Sequence, residues 1–352
     1  MSHIAGAHGE ALGAELAATD YSGVVLAIGP DGLLAEVALG DADRANGRPN
    51  TIATRFAVAS VGKLFTAVAL VRLVERGIVT LDAHAVDLLP DELRPPGLGS
   101  DVTLEHLLTH QSGLTDYVDD AGGQDFAELW VDRNPGLVRS PADLLPLFGD
   151  RPPRAAPGVE VRYNDGGFVI LGLVLEALTG RSYHDVVEEE VFAPAGMGAT
   201  GFPAMDDVEP NLAIGYIRPE AEGEPWRTNV YAVTGRGQPD GGVVTTAGDL
   251  VAFLDAFRAG RIVSEGWRDE MLRPRAWDEQ EDIHVGLGWQ MGGEGGRRWV
   301  GHSGGDPGVG ANVSWFPASG IRTAVITNAP PGALAAYRAL QELLLPEDEP
   351  AG

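Results

Sequence analysis

The sequence predicts an α+β protein in which segments from both chain ends form one antiparallel sheet flanked by helices, with a mostly helical lobe inserted. Strand-like apolar runs lie near both ends of the 352-residue chain, and the middle contains short helical patterns separated by Pro- and Gly-rich loops. Separate runs of strands and helices are typical of this fold class. We therefore predict a sheet domain from residues 1–90 and 237–352 and a mostly helical domain from residues 91–236.

The first ninety residues predict a β-hairpin and a helix, after a short amphipathic start. Residues 9–18 form a short amphipathic pattern, and the apolar runs at 22–28 and 33–39 flank a Gly-Pro-Asp-Gly turn at 29–32. Two antiparallel strands are expected from this arrangement. From 61 to 77 the apolar residues follow helical spacing, and a final glycine supplies a stop.

The last third of the chain predicts most of the remaining sheet. A helix is expected within residues 241–257 and another at about 333–345. The strand-like stretches between them are 285–291, 298–301, 309–316 and 321–328. Residues 305–311 are rich in glycine and are predicted to form a turn.

Composition narrows the chemistry available to the chain. A formal net charge of −26 disfavours nucleic acid and anionic membranes as partners, because both require a basic surface. The absence of cysteine excludes disulfides, thiolate metal ligands and a cysteine nucleophile. No apolar stretch approaches the ~20 residues that cross a bilayer, and the first residues lack a signal-peptide pattern, so a cytoplasmic location is expected.

The strongest local signal is Ala-Ser-Val-Gly-Lys at 59–63, which places Ser60 and Lys63 three residues apart at the head of an apolar helix. Serine is a weak nucleophile until a base takes its proton, and lysine can serve if burial and the helix N-terminus depress its pKa. The alternative is an N-cap serine followed by a solvated lysine. Lys63 is the only lysine, and with eleven serines in the chain it would follow a serine at this spacing by chance in roughly 3% of shuffled sequences.

Two further segments could complete a catalytic site. Tyr163 precedes Asn-Asp-Gly-Gly and a helix predicted at 168–178, and it could act as a base or proton relay; alternatively it packs beside a turn while Asn164 or Asp165 caps the helix. The segment Gly-His-Ser-Gly-Gly at 301–305 follows a strand, where backbone can approach a substrate closely. An ordinary glycine-rich turn is its alternative interpretation.

Together these three segments resemble the serine beta-lactamase and penicillin-binding-protein family, particularly its class C-like and esterase branch. The family's S-x-x-K, Y-x-N and K-T-G or H-x-G boxes are similar to Ser60/Lys63, Tyr163 and the 302–304 segment, in the same order. The resemblance runs from about residue 22 to the last helix. It implies a beta-lactamase/transpeptidase-like fold with the active site in the cleft between the two domains.

The resemblance also implies roles for individual residues. Ser60 would be the acylated nucleophile, Lys63 and Tyr163 the base system, and the backbone N–H groups of Ser60 and Gly305 the oxyanion hole. The remaining substrate-binding candidates are Asp165, His302, Ser303 and Gly304. The expected substrate is a small ester, amide or lactam. Lobe loops such as 116–130 would shape the pocket that binds it. No cofactor or metal is expected.

Two departures from the family pattern affect specificity. Asp165 occupies the asparagine position of the second box, which removes an amide donor and favours a charged Lys63. His302 replaces the lysine of the third box, which removes a permanent cation suited to a substrate carboxylate. Both changes favour esters or other uncharged acyl groups.

Acyl transfer, D-amino-acid peptidase or beta-lactamase activity, and a non-catalytic acyl-binding sensor remain alternatives. The sequence gives no indication of oligomeric state.

Two other possible sites compete with this interpretation. Gly-x-Ser-x-Gly at 301–305 matches the nucleophile elbow of alpha/beta-hydrolases, with Ser303 as nucleophile, but no histidine follows it in the chain as that fold requires. His106 and His110 lie one helical turn apart, a spacing that could hold a metal. The surrounding residues do not form H-E-x-x-H and no third ligand is evident, so we predict no metal.

Overall fold

The computed structural model describes residues 3–118, 129–219, 221 and 223–345. Its strands are β1 (His3–Ala5), β2 (Gly23–Gly29), β3 (Gly32–Leu39), β4 (Asp41–Asp43), β5 (Arg48–Pro49), β6 (Phe56–Ala57), β7 (Tyr216–Ile217), β8 (Arg227–Thr228), β9 (Val244–Thr245), β10 (Ala276–Asp278), β11 (Ile283–Val285), β12 (Gln290–Gly292), β13 (Trp299–Asp306), β14 (Val309–Phe316) and β15 (Ile321–Thr327). Nine of them form one sheet in the order β1-β3-β2-β15-β14-β13-β12-β11-β10. All neighbours in this sheet are antiparallel. The predicted fold class, with a sheet from both chain ends, is confirmed.

Helices cover the sheet and fill the inserted segment. They are α1 (Gly9–Ala17), α2 (Gly62–Glu75), α3 (Ala85–Leu88), α4 (Leu104–Leu108), α5 (Leu145–Phe148), α6 (Asp165–Thr179), α7 (Tyr183–Val187), α8 (Ala193–Ala195), α9 (Ala247–Arg258), α10 (Glu265–Met271) and α11 (Ala333–Leu344). Short helices and turns dominate the middle of the chain, as expected from its proline and glycine content. The domain boundaries near residues 90 and 236 stay predictions.

The sheet separates two apolar clusters. Side chains of α1 and α11 pack on one face, and those of α2 and α9 pack on the other. Helix α2 packs against α6 and α7, and 12 of its 14 residues are buried. A fully surrounded helix is a rigid support for residues at its N-terminus.

Two details of the sheet differ from the predictions. The strand predicted at 285–291 is wrong as a single strand: Gly288 has φ +75° and its N–H donates to the carbonyl of Leu108, so a turn separates β11 from β12. The turn predicted at 305–311 is present but shorter, at Pro307 and Gly308, because β13 continues to Asp306 and β14 begins at Val309. Cross-strand pairing with β14 overrides the local preference of glycine for turns.

Among the described residues, none of the helices combines the length and the apolar character that a bilayer span requires.

Candidate active site

Ser60 lies in a tight turn between β6 and α2. The 3₁₀ turn Ala59–Val61 runs directly into α2, and Ala59 has φ +45°, a left-handed conformation that is uncommon for a residue with a side chain. The turn is held from both sides: the Val58 N–H donates to the carbonyl of Val243, and a Cβ added to Gly304 would lie 2.9 Å from the Ser60 nitrogen. Strained backbone that is fixed by its surroundings is characteristic of functional residues.

Lys63 lies one turn along α2 from Ser60 and is completely buried. Its Nζ donates to Ser60 Oγ at 2.9 Å and to the carbonyl oxygen of Asp240 at 2.6 Å. Nζ also lies 2.5 Å from Asp165 Oδ1. These three acceptors match the three N–H donors of a protonated lysine. The contacts contradict the alternative of a solvated lysine.

The environment of Lys63 favours its charged form. Burial, the largest single influence, lowers the pKa of Lys63, but the neighbouring Asp165, Tyr163 and Asp240 together outweigh it, and the pKa is raised. The prediction that burial and the helix N-terminus depress this pKa is therefore wrong. The expectation that Asp165 favours a charged Lys63 agrees with the ion pair.

The second segment leads into the N-terminus of α6. Asn164 is the N-cap, its Oδ1 accepting from the Gly167 N–H at 2.6 Å, while Asp165 occupies the first helical position and faces Lys63. The Tyr163 ring lies 4.8 Å from Lys63 Nζ. Burial raises the pKa of Tyr163, and the adjacent Lys63 partly opposes this. Tyr163 and Asp165 therefore both lie beside the buried amino group of Lys63.

Two residues that support this segment were not predicted as site residues. The ring of His110 stacks on Tyr163 at 4.6 Å, and its Nδ1 accepts from the Asn164 N–H at 3.1 Å. The carboxylate of Asp116 accepts from the N–H groups of Asp165 and Gly166 at 2.6 and 3.1 Å. Burial and the charge of Asp165 raise the pKa of Asp116 to about 8. No spacing rule could have found these contacts, since each joins segments about 50 residues apart.

The third segment lies on β13, and alternation divides it between two faces. His302 and Gly304 pair with Val313 and Ala311, whose side chains belong to the cluster around α2. Ser303 and Gly305 therefore point their side-chain positions to the opposite face, and Ser303 is exposed. The structure does not bring the Ser303 hydroxyl to Ser60. With an antiparallel sheet, this placement contradicts the alpha/beta-hydrolase alternative.

The backbone N–H of Gly305 lies in the plane of the sheet, whereas a side chain at this position would point out of that plane. The N–H of Ser303 points away from β14, toward Gln290 Oε1 at 3.4 Å, and the N–H of Gly305 shares that direction because backbone groups alternate along a strand. Strand β12 pairs with β13 only as far as Gly301. The Gly305 N–H is thus directed toward the side of β13 beyond the end of β12.

His302 is buried and uncharged near neutral pH. Its Nδ1–H donates to the carbonyl oxygen of Ser303 at 2.5 Å, and its ring centre lies 6.2 Å from that of Tyr163. Burial, with the repulsion of Lys63, lowers the pKa of His302 to about 3, although the bond to Ser303 opposes the shift. Lys63 therefore remains as the cation among these site residues.

The two histidines considered as metal ligands have other partners. His106 Nδ1 accepts from the Thr103 N–H in a helix-capping arrangement, and His110 Nδ1 accepts from Asn164. Within the ranges that the structure describes, no group of three or more His, Asp or Glu side chains is arranged to hold a metal.

A cavity of about 470 Å³ opens beside Ser60, a volume typical of small-molecule sites. Its walls are largely apolar, with contributions from Pro203, Met205, Ile214, Val230 and Val233. Three carboxylates also line it: the predicted Asp165, and Asp240 and Asp306, which the sequence analysis missed. Residues 119–128, part of the loop expected to shape the pocket, lie outside the described residues.

An antiparallel sheet beside a helical lobe, with a Ser-x-x-Lys turn at the head of a buried helix, defines the class of serine hydrolases with a beta-lactamase fold. The sequence matches the family model described as Beta-lactamase over residues 10–346. The chain therefore belongs to the beta-lactamase family.

The chain is similar to several individual members of this family. Esterase EstB of Burkholderia gladioli is 32% identical over 72% of this chain and 70% of its own length. Penicillin-binding protein 4* of Bacillus subtilis (strain 168) is 30% identical over 82% of this chain, which spans 64% of that protein. The crystal structure of penicillin binding protein from Bacillus halodurans has a TM-score of 0.87 and 34% identity, covering 94% of this chain and 99% of that chain.

Proposed function

We propose that the protein is a serine hydrolase that cleaves small esters or amides through an acyl-enzyme on Ser60. The observation that carries this proposal is the contact of a fully buried Lys63 Nζ with Ser60 Oγ at 2.9 Å, at the edge of the cavity. A buried amine beside a serine can remove and return its proton. Membership of the beta-lactamase family supports the same chemistry.

The proposed reaction has two halves. Ser60 Oγ attacks the substrate carbonyl carbon while its proton passes to the Lys63 and Tyr163 system, which must have lost a proton beforehand. The N–H groups of Ser60 and Gly305 stabilise the oxyanion. The leaving alcohol or amine takes the proton as its bond to carbon breaks. Water then attacks the acyl-enzyme, gives its proton to the same system, and releases the acid as Ser60 regains its proton.

Esters are the favoured substrate class within this proposal. An asparagine at position 165 could donate to a substrate amide, whereas Asp165 is engaged as an acceptor by Lys63. The neutral His302 offers no positive charge to a substrate carboxylate. The name of the Burkholderia gladioli relative, an esterase, supports this direction.

The first experiment incubates the protein with p-nitrophenyl butyrate and, separately, a chromogenic cephalosporin. We expect ester turnover above the cephalosporin rate, with mass spectrometry locating the acyl group on Ser60. An adduct that accumulates without turnover would instead support an acyl-binding sensor. Neither turnover nor an adduct with either compound would contradict the proposal.

Replacing Asp165 by asparagine should move the pH dependence of hydrolysis. The carboxylate stabilises the ammonium form of Lys63, so its removal lowers the pKa of Lys63 and makes the neutral amine available at lower pH. The acidic limb of the profile of kcat/KM on a neutral ester should shift down by about one to three pH units. Asp87→Asn, which alters an exposed carboxylate on α3, is the matched control. An unmoved limb would mean that Lys63 is not the group titrating in catalysis.

A further inference from the structure

The cavity beside Ser60 has an acidic lining. The described residues that line it include three carboxylates and no lysine, arginine or histidine. Lys63, which lies beneath Ser60, is already paired with Asp165. The other two carboxylates, Asp240 and Asp306, make no ion pair in the described part of the chain, although the nearby charge of Lys63 partly opposes the rise of their pKa values.

One oxygen of the Asp240 carboxylate has no hydrogen-bond partner in the described part of the chain. Its Oδ2 accepts from the Tyr117 hydroxyl and its backbone carbonyl accepts from Lys63, which fixes the residue in place. Its Oδ1 is buried and has no hydrogen-bond partner in the described part of the chain. A buried carboxylate oxygen without a donor is unfavourable, and a positive charge in the adjoining cavity would offset part of this cost through Coulomb attraction.

Asp306 extends this negative surface along β13. It pairs with Val309 and lies two residues beyond Gly304, so its side chain is on the same face as the position that abuts Ser60. Its carboxylate makes no hydrogen bond or ion pair within the ranges that the structure describes. Burial, with the charges of Asp165 and Asp240, raises the pKa of Asp306 to about 8, so this carboxyl is largely protonated near neutral pH and a bound cation would favour its ionised form.

We propose that the substrate carries a positively charged amino group, which Asp306 and Asp240 bind while the carbonyl is held at Ser60. This inference rests on the proposed function and specifies its substrate class as cationic acyl donors, such as amine-bearing esters or amides. A cationic group in the cavity would pair with Asp306 and be attracted by the nearby charge of Asp240. The apolar walls bind the uncharged part of the same molecule. Anionic acyl donors are repelled.

Two esters of equal shape test the charge directly. p-Nitrophenyl 4-(trimethylammonio)butanoate and p-nitrophenyl 5,5-dimethylhexanoate differ by a nitrogen in place of a carbon, and thus by one positive charge. We expect kcat/KM to be about tenfold or more higher for the cationic ester. This ratio should fall at least about fivefold in Asp306→Asn and also in Asp240→Asn. Because both esters are measured on one preparation, a partly misfolded variant does not alter the ratio.

Asp282→Asn is the matched control, since it removes the same charge from an exposed residue whose φ of +56° suits asparagine. Its ratio should equal that of the unmodified protein. Equal rates for the two esters, unaffected by either cavity variant, would overturn the inference and leave the hydrolase proposal standing. Failure to hydrolyse either ester, with no adduct on Ser60, would overturn both.

Discussion

Replacing Ser60 by alanine is expected to lower ester hydrolysis by at least about 10⁴-fold, because the variant lacks the oxygen that forms the acyl bond. Alanine keeps the turn and the neighbouring backbone, and it leaves the buried Lys63 paired with Asp165. The melting temperature should therefore change little. The measurement is kcat/KM on p-nitrophenyl butyrate, with mass spectrometry of the acylated protein.

Ser303→Ala is the informative comparison for this variant. Ser303 is exposed and its side chain points to the opposite face of β13, so activity should stay within about threefold of the unmodified protein. Retained turnover in Ser60→Ala would contradict the assignment of the nucleophile, and loss of turnover in Ser303→Ala would contradict the expected placement of Ser303 outside the site. The second of these results would also show that the exposed serine contributes to substrate binding.

Replacing Lys63 by methionine is expected to reduce kcat/KM by about 10²–10⁴-fold, the usual contribution of a positioned acid or base. Lys63→Arg should be similarly impaired, because a guanidinium keeps the positive charge but cannot release its proton at accessible pH. Together the variants separate proton transfer from simple charge. Near-normal rates in Lys63→Arg would show that only the charge at this position matters.

Stability measurements complete the test of Lys63. Methionine removes one partner of a buried ion pair and leaves the carboxylate of Asp165 unbalanced, which should cost roughly 3–5 kcal/mol of unfolding free energy. The double variant Lys63→Met/Asp165→Asn removes both charges and should recover much of that loss, without recovering activity. A double variant as unstable as Lys63→Met would mean that the loss arises from packing. Denaturant unfolding measures these differences.

Local patterns were sufficient for most elements that support the site. The helix after Ser60, the hairpin near the N-terminus and the final helix follow from periodicity and turn residues. The predictions failed where distant contacts decide the backbone, as at Gly288, whose N–H reaches Leu108, and at Gly305, which pairs with Gly310. Turn-forming composition cannot reveal a partner strand.

The sequence predicted the fold class from the order of its elements and, through the family resemblance, the candidate segments around Tyr163 and His302. The Ser60 and Lys63 pair follows from a spacing of three residues, which a helix converts directly into a shared face. The sequence predicted that Asp165 favours a charged Lys63, but the tertiary structure was needed to show that Asp240, 177 residues further along the chain, also raises the pKa of Lys63. The negative character of the cavity has the same origin. Electrostatic environment depends on distance through space and on burial, and neither is encoded in local sequence.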